Sequence, residues 1–217
     1  MAYSGDVRPG GPADVRELPE LMISKLSVGP MDNNAYLLRC RRTDAQVMID
    51  AANEAPRLLE LIGDAGLEAV ITTHRHGDHW HALADVVAAT GSEVLVHDAD
   101  ADELPVTPTR RVADGDVIEF GAVQLRAIHV AGHTPGGLVL VYDDPDGHEH
   151  LFTGDSLFPG GVGRTLDATA FTQLLGDVEQ KLFARFPDEA WVYPGHGNDT
   201  SLGVERPNLS EWRARGW

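Results

Sequence analysis

In Thr73-His74-Arg75-His76-Gly77-Asp78-His79, three imidazoles and a carboxylate fall within six consecutive positions. Keeping such groups side by side, neutral and unpaired, is costly in a fold, whereas a transition-metal ion uses their lone pairs directly. Imidazole nitrogen and carboxylate oxygen are zinc-type donors, so no thiolate is needed. Three later points repeat one form, a polar side chain after an apolar strand and beside glycine. His133 follows Val130-Ala131-Gly132, Asp155 follows Leu151-Phe152-Thr153-Gly154, and His196 follows Val192-Tyr193-Pro194-Gly195. Glycine lets the backbone bend sharply and approach an ion closely. Seven ligands exceed one tetrahedral ion but suit a pair roughly 3.5 to 4 Å apart, each ion with three ligands of its own and Asp155 shared.

Elements that deliver these groups to one place are legible in the hydrophobic pattern. The apolar segment 67–72 reads as a buried strand and 80–90 as a helix, which puts the histidine cluster in a strand-to-helix turn. Upstream, 21–28, 35–40 and 46–50 read as strands joined by turns, and 55–64 has helical spacing at Leu58, Leu59, Leu61 and Ile62. Downstream, 93–96, 117–120, 123–130, 137–142, 150–152 and 190–193 read as strands and 169–186 as mostly helix, with a loop through Pro105 and Pro108. Strands of about five residues mixed with helices predict two packed sheets flanked by helices. Residues 1–19 have no apolar period and are expected to be a poorly ordered leader, with a single domain over 20–217.

Composition narrows the function. Lys and Arg number 17 against 34 Asp and Glu, a formal charge of −17, which argues against nucleic-acid and anionic-membrane partners. With no membrane-length apolar run and no secretory segment at its start, the chain is expected in the cytoplasm. Cys40 is the only cysteine and reads as a buried thiol in a strand. The acidic run 98–103 reads as a solvated face, His81, His97, His129, His148 and His150 as packing or solvent-facing residues, and Trp191, Trp212 and Trp217 as packing residues.

THRHGDH at 73–79, GHTPG at 132–136, GDSLF at 154–158 and PGHG at 194–197, in this order and with these separations, resemble the metallo-β-lactamase-fold hydrolases. Within them the chain is most similar to the glyoxalase II group, the hydroxyacylglutathione hydrolases. The resemblance runs from about Leu21 onward and implies an αββα sandwich with the metals at the sheet edge. It implies His74, His76 and His133 on one metal, Asp78, His79 and His196 on the other, and Asp155 between them. The cofactors implied are two divalent ions, zinc first, with iron or manganese as alternatives. Asp50, closing the strand Val47-Met48-Ile49, is placed like a family carboxylate that braces the histidine turn. Thr134 reads equally as a support for His133 and as a turn-capping hydroxyl. Met31, Phe158 and Val162 stand in loops that the resemblance places over the metals. Arg164 reads as a substrate carboxylate anchor or a structural ion pair.

A metal ion lowers the pKa of bound water to about 7, so hydroxide for attack on an acyl carbonyl is available without a dedicated base. Asp78 would orient it. The expected substrate is a small-molecule thioester, an S-2-hydroxyacyl thiol, with glutathione or mycothiol as the thiol. The alternatives are a mononuclear iron persulfide dioxygenase using His74, His133 and Asp155, a lactonase, and a non-catalytic metal-binding protein. Glyoxalase II proper carries a C-terminal helical region with thiol contacts, for which the residues after His196 are too few.

Overall fold

A computed structural model describes residues 3–216 of the chain. The first sheet is built from β1 (Asp14–Glu17), β2 (Leu21–Val28), β3 (Asn33–Cys40), β4 (Gln46–Ile49), β5 (Ala69–Ile71), β6 (Glu93–His97) and β7 (Arg110–Val112), paired in sequence order. The first four strands are antiparallel, and β4, β5, β6 and β7 run parallel. Parallel neighbours need crossovers, supplied by α1 (Ala55–Ile62), α2 (Leu83–Thr90) and, between β6 and β7, a 3-10 segment over Asp98–Glu103 with the loop after it. The second sheet holds β8 (Val117–Phe120), β9 (Val123–His129), β10 (Leu138–Asp143) and β11 (Glu149–Gly154). A short hairpin, β12 (Leu157–Phe158) with β13 (Gly161–Val162), follows, then α3 (Ala168–Val178) and a π-helical turn over Glu179–Phe183. β14 (Trp191–Pro194) and β15 (Thr200–Ser201) complete that sheet in the order β15-β14-β11-β10-β9-β8, and α4 (Leu202–Glu205) and α5 (Leu209–Arg215) end the described chain.

Period-two alternation in β3 sorts its side chains to two cores: Tyr36, Leu38 and Cys40 face the second sheet, and Ala35 and Leu37 face α1 and α2. The central core joins Ile23, Tyr36 and Ile71 to Phe120, Leu125, Phe152 and Tyr193. A third core lies between the second sheet and α3 and α5, with Leu151, Leu174, Leu182 and Trp212. Helix, sheet, sheet and helix therefore stack as the expected αββα sandwich.

Several expectations are corrected. The segment read as a leader contains β1, whose Val15 and Arg16 pair with Ser24 and Ile23 of β2. Structure therefore precedes Leu21. Ser4 and Gly5 donate backbone N–H bonds to Asp14 at 2.9 Å, and Val7 is buried. The pattern there was invisible because a four-residue edge strand needs only partial apolar cover. β7 lies in what reads as loop, α2 begins at Leu83 after a tight turn over Gly77–His79, and the tail forms two helices. Trp217 lies outside the described residues. No described helix is long and apolar enough to cross a membrane.

Candidate metal centre

All four ligand-bearing stretches leave strand ends that point the same way. Asp50 follows β4 and His74 follows β5, its parallel neighbour, with Asp50 N–H donating to the Ile71 carbonyl at 3.1 Å. Asp155 follows β11 and His196 follows β14, again parallel neighbours. β9, antiparallel to β10 as β11 is, sends His133 to the same edge. Side chains at the carboxyl ends of such strands converge in a crevice. The two sheets are tied there by Leu138 N–H to the Thr73 carbonyl at 2.9 Å and Asn34 N–H to the Gly195 carbonyl at 2.8 Å.

Three groups of donor atoms result, each set within 4.8 Å of one another: His74, His76 and His133; His74, His79 and Asp155; and Asp78, His79 and His196. Asp155 reaches both sides, Oδ1 to His79 Nε2 at 3.3 Å and Oδ2 to His133 and His196 Nε2 at 3.5 Å each. Asp78 Oδ2 lies 3.3 Å from His196 Nε2. A Cβ at Gly195 would run into Asp155 Oδ1, and one at Gly154, where φ is +48°, would stand 2.7 Å from Thr73 Oγ1. Any larger residue would push the two strand ends apart.

The ring orientations are set from behind. Asp50 accepts Thr73 N–H, the Thr73 hydroxyl and His79 Nδ1–H, each at 2.8 Å, and holds a left-handed backbone (φ 58°). Strain of that kind is tolerated where a site over-determines it. Because Thr73 gives its one proton to Asp50, it accepts from His74 Nδ1 at 3.0 Å, which leaves His74 Nε2 bare. His133 Nδ1–H donates to the Arg164 carbonyl at 2.6 Å, and His196 Nδ1–H to the Met31 carbonyl at 2.9 Å. With Nδ1 so engaged, each Nε2 faces inward: those of His74 and His133 present a lone pair, and that of His196 carries a proton toward Asp78 and Asp155 until a cation displaces it.

The donor set fits a metal on one direct observation: His74 Nε2, His133 Nε2 and Asp155 Oδ1 are buried without a hydrogen-bond partner. Such orphans are rare in native interiors unless an ion or water satisfies them. Electrostatics agree. Burial, with His79 adding to it against the pull of Asp155, holds His74 well below its ordinary pKa and keeps it neutral. Burial would raise Asp155, yet His79 and the hydrogen bond from His196 hold it well below the carboxylate range. Burial lowers His196, but Asp155 and Asp78 push it up to about 10. The cluster thus sets a neutral His74 and an ionised Asp155 beside His79 and His196, whose raised pKa values keep on them protons that a cation can displace.

The remaining expected residues separate. The Thr134 hydroxyl donates to Asp100 Oδ2 at 2.6 Å and not to the His133 ring. Met31 and Arg164 meet the cluster through backbone carbonyls, and the Met31 side chain is exposed. Phe158, Val162 and Arg164 line one cavity. His81 is exposed, His97 and His129 stack at 4.1 Å, and His150 is buried beside Tyr193. Asp100 and Asn33 are positions that motif reading misses. Asp100, fully buried inside the run read as a solvated face, also accepts Gly136 N–H at 2.9 Å and Arg75 N–H at 3.1 Å. It ties the His76 and His133 loops together. Asn33 donates to Asp78 Oδ2 at 2.9 Å. The signal for Asp100 was a weaker form of the ligands' own, a carboxylate soon after an apolar strand end but with no glycine beside it.

Comparison with known proteins agrees with this geometry. Residues 28–196 match the family model described as the metallo-beta-lactamase superfamily. The chain is 35% identical over 167 residues to a hydroxyacylglutathione hydrolase of Rhodospirillum rubrum, covering 76% of this chain and 62% of that protein. It is similar to the di-iron-bound form of TTHA1623, at 32% identity and a TM-score of 0.70 over 84% of this chain and 96% of that one. It is also similar to ETHE1 from Myxococcus xanthus, at 28% identity and a TM-score of 0.75 over 87% and 84% of the two chains. The chain belongs to the metallo-β-lactamase superfamily and carries a His/Asp cluster able to bind metal. It spans 62% of the length of that hydroxyacylglutathione hydrolase.

Proposed function

We propose that this protein is a two-metal hydrolase of small-molecule thioesters, of the glyoxalase II type, acting on an S-2-hydroxyacyl thiol. The observation that carries the reading is the second donor trio. Asp78, His79 and His196 stand assembled, with Asp50, Asn33 and the Met31 carbonyl orienting them. A mononuclear oxygenase using His74, His133 and Asp155 would have no need of that trio. The donors suit zinc, and iron or manganese equally by geometry. The strongly acidic chain fits a small-molecule substrate rather than nucleic acid or a membrane, and a cytoplasmic setting goes with its single buried thiol.

Bound divalent ions lower the pKa of coordinated water from 15.7 to about 7 and polarise the acyl carbonyl. The chain's own residues supply the rest. Asp155, spanning both trios, sets the spacing between them. Asp78 is held well below the carboxylate range, first by the hydrogen bond from His196, and against its partial burial. It remains an acceptor that can orient the attacking water. A thiol with a pKa near 8.5 departs as thiolate, so no proton donor is required from a cluster whose Asp78 and Asp155 are both ionised.

Metal analysis joined to S-lactoylglutathione hydrolysis, run beside oxygen uptake on glutathione persulfide and a lactone control, tests the proposal. Two ions per chain with thioester cleavage is the expected result. One iron per chain with oxygen consumption would overturn it, and a marked preference for the lactone would move the substrate class.

A further inference from the structure

Immediately after Asp155 the chain turns into the β12–β13 hairpin, which borders both the metal cluster and a cavity of about 300 Å³. On the cluster side, the Phe158 ring lies 6.2 Å from that of His196, and the Arg164 carbonyl orients His133. The cavity is lined by Phe158, Val162, Arg164, Phe171, Trp212 and Arg215, among others. Its apolar wall is rigid, since Trp212 and Phe171 belong to the core behind the second sheet.

Its charge is out of character with the rest of the molecule. Acidic side chains outnumber basic ones two to one in this chain, yet among the described residues two guanidiniums and no carboxylate line the cavity. The nearby Glu205 is buried behind the loop, with one oxygen taken by Gly160 N–H at 2.9 Å and the other by the Thr200 hydroxyl at 2.6 Å. Arg215 Nη2 donates to the Gly160 carbonyl at 3.2 Å, which holds its head at the hairpin, and Nη1 stands only loosely at 3.9 Å from Glu211. Among the described residues, the Arg164 side chain makes no hydrogen bond or ion pair. Donors therefore remain in an otherwise apolar slot that shares the β12–β13 hairpin and the Arg164 loop with the His/Asp cluster. A planar guanidinium matches a carboxylate through paired N–H donors.

We infer that this cavity takes a carboxylate of the substrate, gripped by Arg215 together with Arg164, and that Arg215 is a specificity-determining residue. The inference rests on the thioester reading for its substrate class. The carboxylate belongs either to the thiol or to the acyl group, and its carbon chain lies against Phe158, Val162 and Trp212.

Three thioesters separate these sources: S-lactoyl-N-acetylcysteine, with a thiol-side carboxylate; S-succinyl-N-acetylcysteamine, with an acyl-side carboxylate; and S-lactoyl-N-acetylcysteamine, with none. In the metal-loaded enzyme, R215Q raises KM about tenfold for one of the two acids with kcat unchanged, as expected when a charge-assisted contact made equally in ground and transition states is lost. The neutral thioester's KM does not move, R215K recovers part of the loss, and raised salt weakens the wild type's preference. Equal changes on all three, or none, overturn the assignment. Should the wild type cleave none of them, the hydrolase reading fails separately. Calorimetric titration of the metal-loaded protein with N-acetylcysteine, succinate and N-acetylcysteamine then decides Arg215. R215Q must weaken an acid and spare the amine-derived thiol, and any other outcome rejects the site.

Discussion

At the scale of single residues, the ligands and the groups behind them have separable effects. Asp78 is partly exposed, and among the described residues the polar partners of its carboxylate are His79, His196 and Asn33. Asp78→Ala is therefore expected to leave the folded chain intact, to cut bound metal from two ions to one per chain, and to abolish thioester cleavage. Metal content and circular dichroism on the same sample check it. Asp100 is different, because it is fully buried and accepts three hydrogen bonds from the loops carrying His76 and His133. Asp100→Ala leaves those donors without partners, at about 1–3 kcal/mol for a group so stranded. A denaturant titration should show a loss of about 2–4 kcal/mol in total, together with weaker occupancy of the site holding His76 and His133. Unchanged stability would mean that the loops are held by something else.

At the scale of elements, the N-terminal segment and the His196 loop form one unit through Lys25. This lysine on β2 is fully buried and donates to the Gly5 carbonyl at 2.8 Å, the Gly197 carbonyl at 2.7 Å and Asp199 at 2.6 Å. Asp199 also accepts from the Tyr3 hydroxyl at 2.7 Å and from Trp191 Nε1 at 2.9 Å. Lys25→Met keeps the volume but strands a buried carboxylate, a change that typically costs about 3–5 kcal/mol. Hydrogen exchange should then quicken in residues 3–17 and 195–199 and hardly in α1. Uniform quickening would show that the tie is only one of many. The sequence reading could not see this unit: Lys25 sits in an apolar strand and its partners lie 20 and more than 170 positions away.

At the scale of the whole molecule, stability should depend on pH through a residue outside the His/Asp cluster. His150 is fully buried on β11, with Nδ1 2.9 Å from the Tyr193 hydroxyl, which also accepts from Arg16 at 3.1 Å. Burial, then Arg16 and His148, push its pKa down to about 3 from the ordinary 6.5. The unfolded chain takes up this proton as pH falls below 6.5 and the native state does not until about 3, so the stability held above 6.5 is lost progressively across that window. The contribution is on the order of a few kcal/mol. Denaturation midpoints at pH 7.5 and 4.5 should differ by less in His150→Gln than in the wild type, and equal differences in the two proteins would refute this.

What the amino-acid order determined by itself was local. Donor type, glycine beside each donor and apolar runs before them are properties of a few adjacent residues, so the His/Asp motifs, the alternating strands and the crossover helices were legible without coordinates. Tertiary structure alone decided which groups meet. Asp100 looked like a solvated charge until β6 ended beside the His133 loop, Asp14–Glu17 looked unstructured until β2 offered an edge, and Arg164 stood alone in its motif until α5 brought a second guanidinium, Arg215, to the same cavity. The physical reason is that a hydrogen bond or an ion pair depends on distances of a few ångströms, and those distances are set by how two sheets pack, not by spacing along the chain.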